Sequence, residues 1–427
     1  MTEEQRYRLR TPASGRHFEE ARRYLPGGDS RSTIFHPPYP AVLVRGEGCR
    51  VTDLDGNRLL DFTGNHSVLV HGYGAPEVMD AIRRQAELGT CFPGPTEVQL
   101  RLARHLVDRI RSLERVRFTT SGTEAVMMAV RAARHFTGRR LVAKLEGGYH
   151  GTSGEVLGEI HPDLVVLPAD DAAAAAAALD QQAADIAVLL VEPVQGSAGM
   201  IPLSAECLRD LREATRRLGI VLVFDEVVSL RVAHGGAQEH YGITPDLTCL
   251  GKMIGGGLPL GAFGGREEIM ALFDPSRGPP VIPHPGSYNA YPVSLAAGLA
   301  TLERLTPEAV GRLNRMGDRL REELQRKFDE AAVPAAITGL GSLFGIHLTD
   351  RPVRTIRDAA RADAALRHRI FLGLYDEGIL VDPRGVGTLS TAIGEPELDR
   401  FLAGIGVVLS RLQEPAGVGR RPAPHLG

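Results

Sequence analysis

Between residues 115 and 226 the chain alternates short, wholly apolar runs with longer segments whose apolar positions recur every three or four residues. The runs are "RVRF" (115–118), "LVAKL" (141–145), "DLVVL" (163–167), "IAVLLVEP" (186–193) and "GIVLVFDE" (219–226). Runs this short, without polar alternation and separated by helix-like segments, read as strands buried on both faces. The intervening segments, including the alanine run 172–178, read as helices. Such alternation predicts an α/β fold with a mainly parallel sheet covered on both sides. Upstream, "EVMDAIRRQAELG" and "TEVQLRLARHLVDRI" carry helical spacing, and residues 41–62 alternate apolar runs with Gly and Asp-Gly turns, as a β-meander does. Residues 294–330 read as one long amphipathic helix. A smaller α+β region follows. The chain divides into an N-terminal segment and meander (1–70) belonging to a small domain, a large domain (71–305), a C-terminal part of the small domain (306–412) and a disordered Pro/Gly/Arg tail (413–427).

Composition narrows the function. A net charge of −3 leaves no basic surplus to neutralise phosphates, which argues against nucleic-acid binding. The N-terminus is charged and no uninterrupted apolar stretch is long enough to span a bilayer, so no signal peptide or membrane segment is expected. Cys49, Cys91, Cys207 and Cys249 are scattered without a CxxC pair and read as reduced thiols of a cytoplasmic protein, with no metal site. Asp53, Asp55 and Asn57 resemble a calcium loop, but Arg58 stands where glycine is required, so a plain turn is expected. Lysine occurs only at 144, 252 and 327, so chemistry that requires a primary amine has three candidates.

The chemistry-bearing motifs "TTSGTEA", "EGGYHG", "EPVQG", "FDEV" and "LGKMIGGG" all follow apolar strands. In open parallel sheets, ligands gather at that carboxyl edge. HExxH and G-x-S-x-G are absent, and "GLGSLFG" misses the dinucleotide glycine spacing by one residue. In "LGKMIGGG" the glycines follow the lysine, the reverse of a P-loop. A lysine at a strand end suits Schiff-base chemistry, for which pyridoxal 5'-phosphate (PLP) is the common partner. Lys144 lies inside a strand and Lys327 on a charged helix face, which leaves Lys252. Asp225, ending a buried strand, suits a protonated ring nitrogen or the cap of a following helix. Ser121, Gly122 and Thr123 open a helix and suit a phosphate or an ordinary N-cap. Tyr149 suits a ring-stacking position or the core.

Together these motifs resemble the class III (subgroup II) aminotransferases of PLP fold type I. The resemblance is carried by residues 117–151, by "VFDEV" (223–227), by "PDLTCLGKMIGGGLPLGAFGGR" (245–266) and by "GSYNAYPVSLAAG" (286–298). The nearest groups are glutamate-1-semialdehyde aminomutases and, more closely, β-amino acid aminotransferases of the β-phenylalanine type. The resemblance implies a large domain with a mainly parallel seven-stranded sheet, a smaller α+β domain built from both termini, PLP, and a homodimer. It implies that Lys252 carries the cofactor and Asp225 pairs with its ring nitrogen. Tyr149 and Val227 would flank the ring. Ser121, Gly122 and Thr123 would hold the phosphate with Ser287 of a second subunit. Arg31 and Arg384 would bind substrate carboxylates through bidentate forks, and the glycines after Lys252 would leave room for the cofactor and the partner chain. The implied reaction moves an amino group from an amino donor, a β-amino acid, to a 2-oxo acid such as 2-oxoglutarate. The alternatives are a 2,1-aminomutase, or a racemase or epimerase. The chain departs from the family at Tyr73, Thr120, Ser287 and "VSLRV", none of which is Lys252 or Asp225.

Overall fold

The computed structural model describes residues 1–413 except 155, 157–160 and 170; the expected tail lies outside the described residues apart from Gln413, which ends the last helix. Seven strands form the large sheet: β1 (Arg115–Thr119), β2 (Leu141–Leu145), β3 (Leu164–Leu167), β4 (Ile186–Val191), β5 (Val221–Asp225), β6 (Leu247–Leu250) and β7 (Gly261–Gly265). Their spatial order is β1-β7-β6-β5-β4-β2-β3. β7 runs antiparallel to both its neighbours, and the remaining pairs are parallel.

The apolar runs are continuous because each strand feeds two cores. Val221 and Val223 pack with the helix Gly122–Thr137 on one face. Leu222 and Phe224 pack with the helix Ala205–Leu218 on the other. Period-two alternation is therefore present in space but invisible in polarity. Register sets the site: Phe224 of β5 lies opposite both Val191 of β4 and Thr248 of β6. The residues just beyond these positions reach one edge together.

The meander Leu43–Glu47, Arg50–Asp53 and Arg58–Asp61 is completed by Ile379–Leu380, which runs parallel to its last strand. A separate three-stranded sheet joins Ala336–Thr338, Leu343–His347 and Val386–Thr388. Both chain ends thus build the smaller α+β region. The expected single helix over 294–330 is instead two, Pro292–Arg304 and Pro307–Glu330. Pro307 disfavours a helical residue before it, and Thr306 caps the second helix by accepting from the Ala309 N–H. The first of the two is also not amphipathic, since it is buried on most sides.

Candidate active site

Three adjacent strand ends deliver Glu192, Asp225 and Lys252 to one cavity of about 470 Å³, a size usual for small-molecule sites. Lys252 follows β6 and adopts a left-handed backbone, φ 50°. Burial lowers its amine below the ordinary value, against the opposing charges of Glu192 and Asp225. Asp225 Oδ2 lies 2.9 Å from His150 Nδ1, and Oδ1 accepts from the Val227 N–H at 3.1 Å. His150 is buried and its Nε2 has no partner among the described residues. Glu192 accepts from the backbone N–H of Tyr149 at 2.8 Å and of Gly196 at 3.3 Å. Burial, opposed by His150 and reinforced by Asp225, pushes the Glu192 carboxyl up to about 7. Two buried carboxylates one strand apart share a histidine and an amine.

The residues around this core fit PLP. Ser121 caps the helix Gly122–Thr137 by accepting from Glu124, while the N–H groups of Gly122 and Thr123 find no acceptor among the described residues. Two such donors at the start of a 16-residue helix suit a phosphate. A β-carbon on Gly122 would stand 3.0 Å from Val227 Cγ2, so glycine keeps the backbone close to that side chain. Val227 and Tyr149 both line the cavity. Among the glycines after Lys252, Gly256 meets a constraint within the chain itself. A β-carbon on Gly256, φ 59°, would stand 2.5 Å from the Ala297 carbonyl oxygen, so this glycine lets the turn lie on the helix Pro292–Arg304.

The expected carboxylate end is arranged differently. Arg384 lines the cavity, but its fork is engaged: Nε and Nη2 donate to Asp382 at 2.9 and 2.8 Å. His66 Nδ1 lies 3.0 Å from the same carboxylate. Burial alone would raise the Asp382 carboxyl, but bonds from Arg384 and His66 carry it well below the usual range. Arg31 is exposed, is not among the cavity-lining residues, and donates to Asn65 at 2.9 Å. Asn65 and His66 belong to a turn in which Gly64, Asn65, His66 and Ser67 all have positive φ, from 50° to 72°. A left-handed backbone costs a non-glycine residue about 1–2 kcal/mol. Asp61 secures the turn's start, accepting from Thr63 N–H and hydroxyl, Gly64 N–H and the Tyr73 hydroxyl.

Of the residues singled out in the sequence, Ser121, Gly122, Thr123, Tyr149, Asp225, Val227, Lys252 and Arg384 line one cavity. Arg31 stands outside it. Ser287 does too, on a surface hollow shared with Thr120, Glu124 and Met127. Sequence reasoning missed His150, Glu192, Asp382 and His66. The first three adjoin or fall within quoted motifs, "GGYHG", "EPVQG" and "DPRG"; His66 carried no signal at all.

Residues 34–393 match the family described as Aminotransferase class-III. The β-phenylalanine transaminase of Variovorax paradoxus is 43% identical over 404 residues, covering 92% of each chain. The glutamate-1-semialdehyde 2,1-aminomutase 2 of Bacillus licheniformis is 36% identical over 420 residues, covering 92% of this chain and 97% of that one. The crystal structure of an omega-transaminase from Sphaerobacter thermophilus superposes with a TM-score of 0.90 at 42% identity, covering 93% of this chain and 97% of that one. The chain therefore belongs to the class-III aminotransferases, a family of PLP-dependent enzymes of fold type I.

Proposed function

We propose that this aminotransferase moves nitrogen from a β-amino acid to a 2-oxo acid such as 2-oxoglutarate. The observation that carries the reading is the pairing of the Lys252 amine with the Arg384 guanidinium in one cavity, an arrangement that holds an amine and a carboxylate of one molecule together. The 43% identity to a β-phenylalanine transaminase supports the donor class.

Lys252 would hold PLP covalently, Asp225 would face its ring nitrogen, Gly122, Thr123 and the Ser121 turn its phosphate, and Tyr149 and Val227 its two faces. When bound, the cofactor supplies an electron sink for the charge left on the substrate carbon. Burial lowers the Lys252 amine below its ordinary value, which favours the neutral form that would act as base toward the substrate's carbon-bound proton. Asp225, buried beside His150, would face the ring nitrogen with its carboxyl held in place. Arg384 orients the substrate carboxylate, and Arg31, outside the cavity but bonded to Asn65, is the second arginine near that end.

The active unit is a homodimer, with Ser287 of each chain serving the partner's phosphate site. Exposed Met127 and Tyr288 beside Ser287 support an apolar contact there. We divide the chain into residues 1–70 with 306–412, which hold the four- and three-stranded sheets, and 71–305, which hold the seven-stranded sheet. The four cysteines are free thiols, which supports a cytoplasmic location. No helix among the described residues is long and apolar enough to cross a membrane.

The test mixes PLP-loaded enzyme, 3-amino-3-phenylpropanoate and 2-oxoglutarate, and measures glutamate. Glutamate-1-semialdehyde runs in parallel without an acceptor, because the aminomutase relatives favour that second reading. Rearrangement of the semialdehyde with no glutamate from any external donor would replace the transferase by the mutase.

A further inference from the structure

Asp382 occupies the Nε–Nη2 edge of the Arg384 guanidinium, one of the two edges a bidentate carboxylate contact can use. A ligand therefore meets Arg384 at its other edge, which carries Nη1. A further donor adjoins that edge. His66 stands there: its Nδ1 is on the same Asp382 carboxylate at 3.0 Å, and Arg384 Nη2 lies 3.4 Å from that nitrogen. The ring lines the cavity, and its Nε2 has no partner among the described residues.

The backbone that presents His66 is unusual. Four consecutive residues, Gly64 to Ser67, hold positive φ, and Asp61 accepts four hydrogen bonds that pin the turn. Strain that the surroundings over-determine points to a functional demand. One product of the turn is that Asn65 meets Arg31 while the next residue meets the Asp382–Arg384 pair.

We propose that His66 determines substrate selection: with Arg384 Nη1 it forms a two-donor clamp, both donors fixed on Asp382, for the carboxylate of the incoming amino or oxo acid. This rests on the transferase reading for the identity of the acid, not for the clamp. Between Asp382 at Nδ1 and a bound carboxylate at Nε2, the ring is imidazolium, since only that form donates from both nitrogens. Carboxylate binding is therefore coupled to proton uptake. The charged groups facing His66 are Asp382 and Arg384; Tyr149, His150, Glu192, Asp225 and Lys252 line the same cavity.

The test uses PLP-loaded enzyme titrated calorimetrically with glutarate, a dicarboxylate with no amine, in buffers of differing ionisation enthalpy near neutral pH. The parent takes up a fraction of a proton on binding. His66→Phe binds glutarate at least tenfold more weakly and takes up less, the remainder going to Glu192 in the same cavity. His66→Gln, which keeps an N–H donor without titrating, binds within about threefold of the parent and takes up equally less. Affinity of His66→Phe within twofold of the parent overturns the clamp, as does unchanged proton uptake in either variant. Should the phenylalanine variant not fold, the glutamine variant decides through its proton uptake. Binding is read without nitrogen transfer, so a chain that passes here yet makes no glutamate loses the transferase reading alone.

Discussion

Asp225 and Glu192 are chemically similar and sit one strand apart, yet their surroundings give them different work. Asp225 has His150 and a backbone N–H on its oxygens, which fix the orientation of its carboxyl at the cavity wall. Asp225→Asn should lower turnover by roughly 10²–10⁴-fold and weaken PLP retention, because a neutral amide cannot hold a protonated ring. Steady-state kinetics and equilibrium dialysis check this, and near-parent values would assign the charge to another group. Glu192 behaves otherwise, since its carboxyl is raised from 4.5 to about 7, with burial the leading cause. The folded chain keeps a proton there that the unfolded chain releases at lower pH. Stability from this group is therefore full below the unfolded value and is lost as pH rises through the folded one. Relative to Glu192→Gln, the parent should lose on the order of 1–3 kcal/mol between about pH 5 and pH 8. Urea denaturation of the PLP-free proteins at several pH values reads the difference. Parallel stability curves would show that the carboxyl ionises alike in both states.

At the scale of elements, the site depends on turns that lie against helices more than on the helices themselves. The turn after Lys252 rests on the helix Pro292–Arg304 through Gly256, whose φ of 59° and 2.5 Å clearance from the Ala297 oxygen exclude a β-carbon. Gly256→Ala should destabilise the fold by roughly 1–3 kcal/mol, through both the backbone penalty and the overlap. A lowered thermal midpoint is expected, with the Lys252 turn displaced and PLP held less tightly. An unchanged midpoint would mean that the turn yields without cost. The break at Thr306–Pro307 is the same lesson in reverse. Apolar spacing runs on through that point, but a proline and a capping threonine stop one helix and start another.

For the whole molecule, the position of Ser287 is the informative one. It lies outside the Lys252 cavity of its own chain, on a hollow with Thr120 and Glu124 near the helix start that offers free N–H groups. A two-fold dimer would bring a partner's Ser287 toward that helix start. Mixing Lys252→Ala chains with Ser287→Asp chains after unfolding and refolding should restore activity to about a quarter of the parent's. Random pairing makes half the dimers hybrid, each with one native site. No recovery would place Ser287's work within its own subunit, and Ser287→Asp chains active on their own would place it nowhere in catalysis.

The sequence by itself determined the parallel strands of the large sheet and the cofactor chemistry, because both rest on local signals; the antiparallel strand Gly261–Gly265 carries none. Strand-length apolar runs, helix periodicity and a lysine, an aspartate and a helix start at successive strand ends are each readable within about ten residues. Asp225 and Lys252 meet because parallel register brings neighbouring strand ends level, a property of the fold class as a whole. The surroundings of Arg384, itself picked out in the sequence, were decided by tertiary structure. His66 and Arg384 are 318 residues apart and meet because Ile379–Leu380 pairs with Arg58–Asp61, placing the two chain ends side by side. No local pattern encodes that pairing, nor that four residues adopt left-handed backbone beside it. Those outcomes follow from long-range packing and from buried charges finding partners, which a chain read residue by residue does not display.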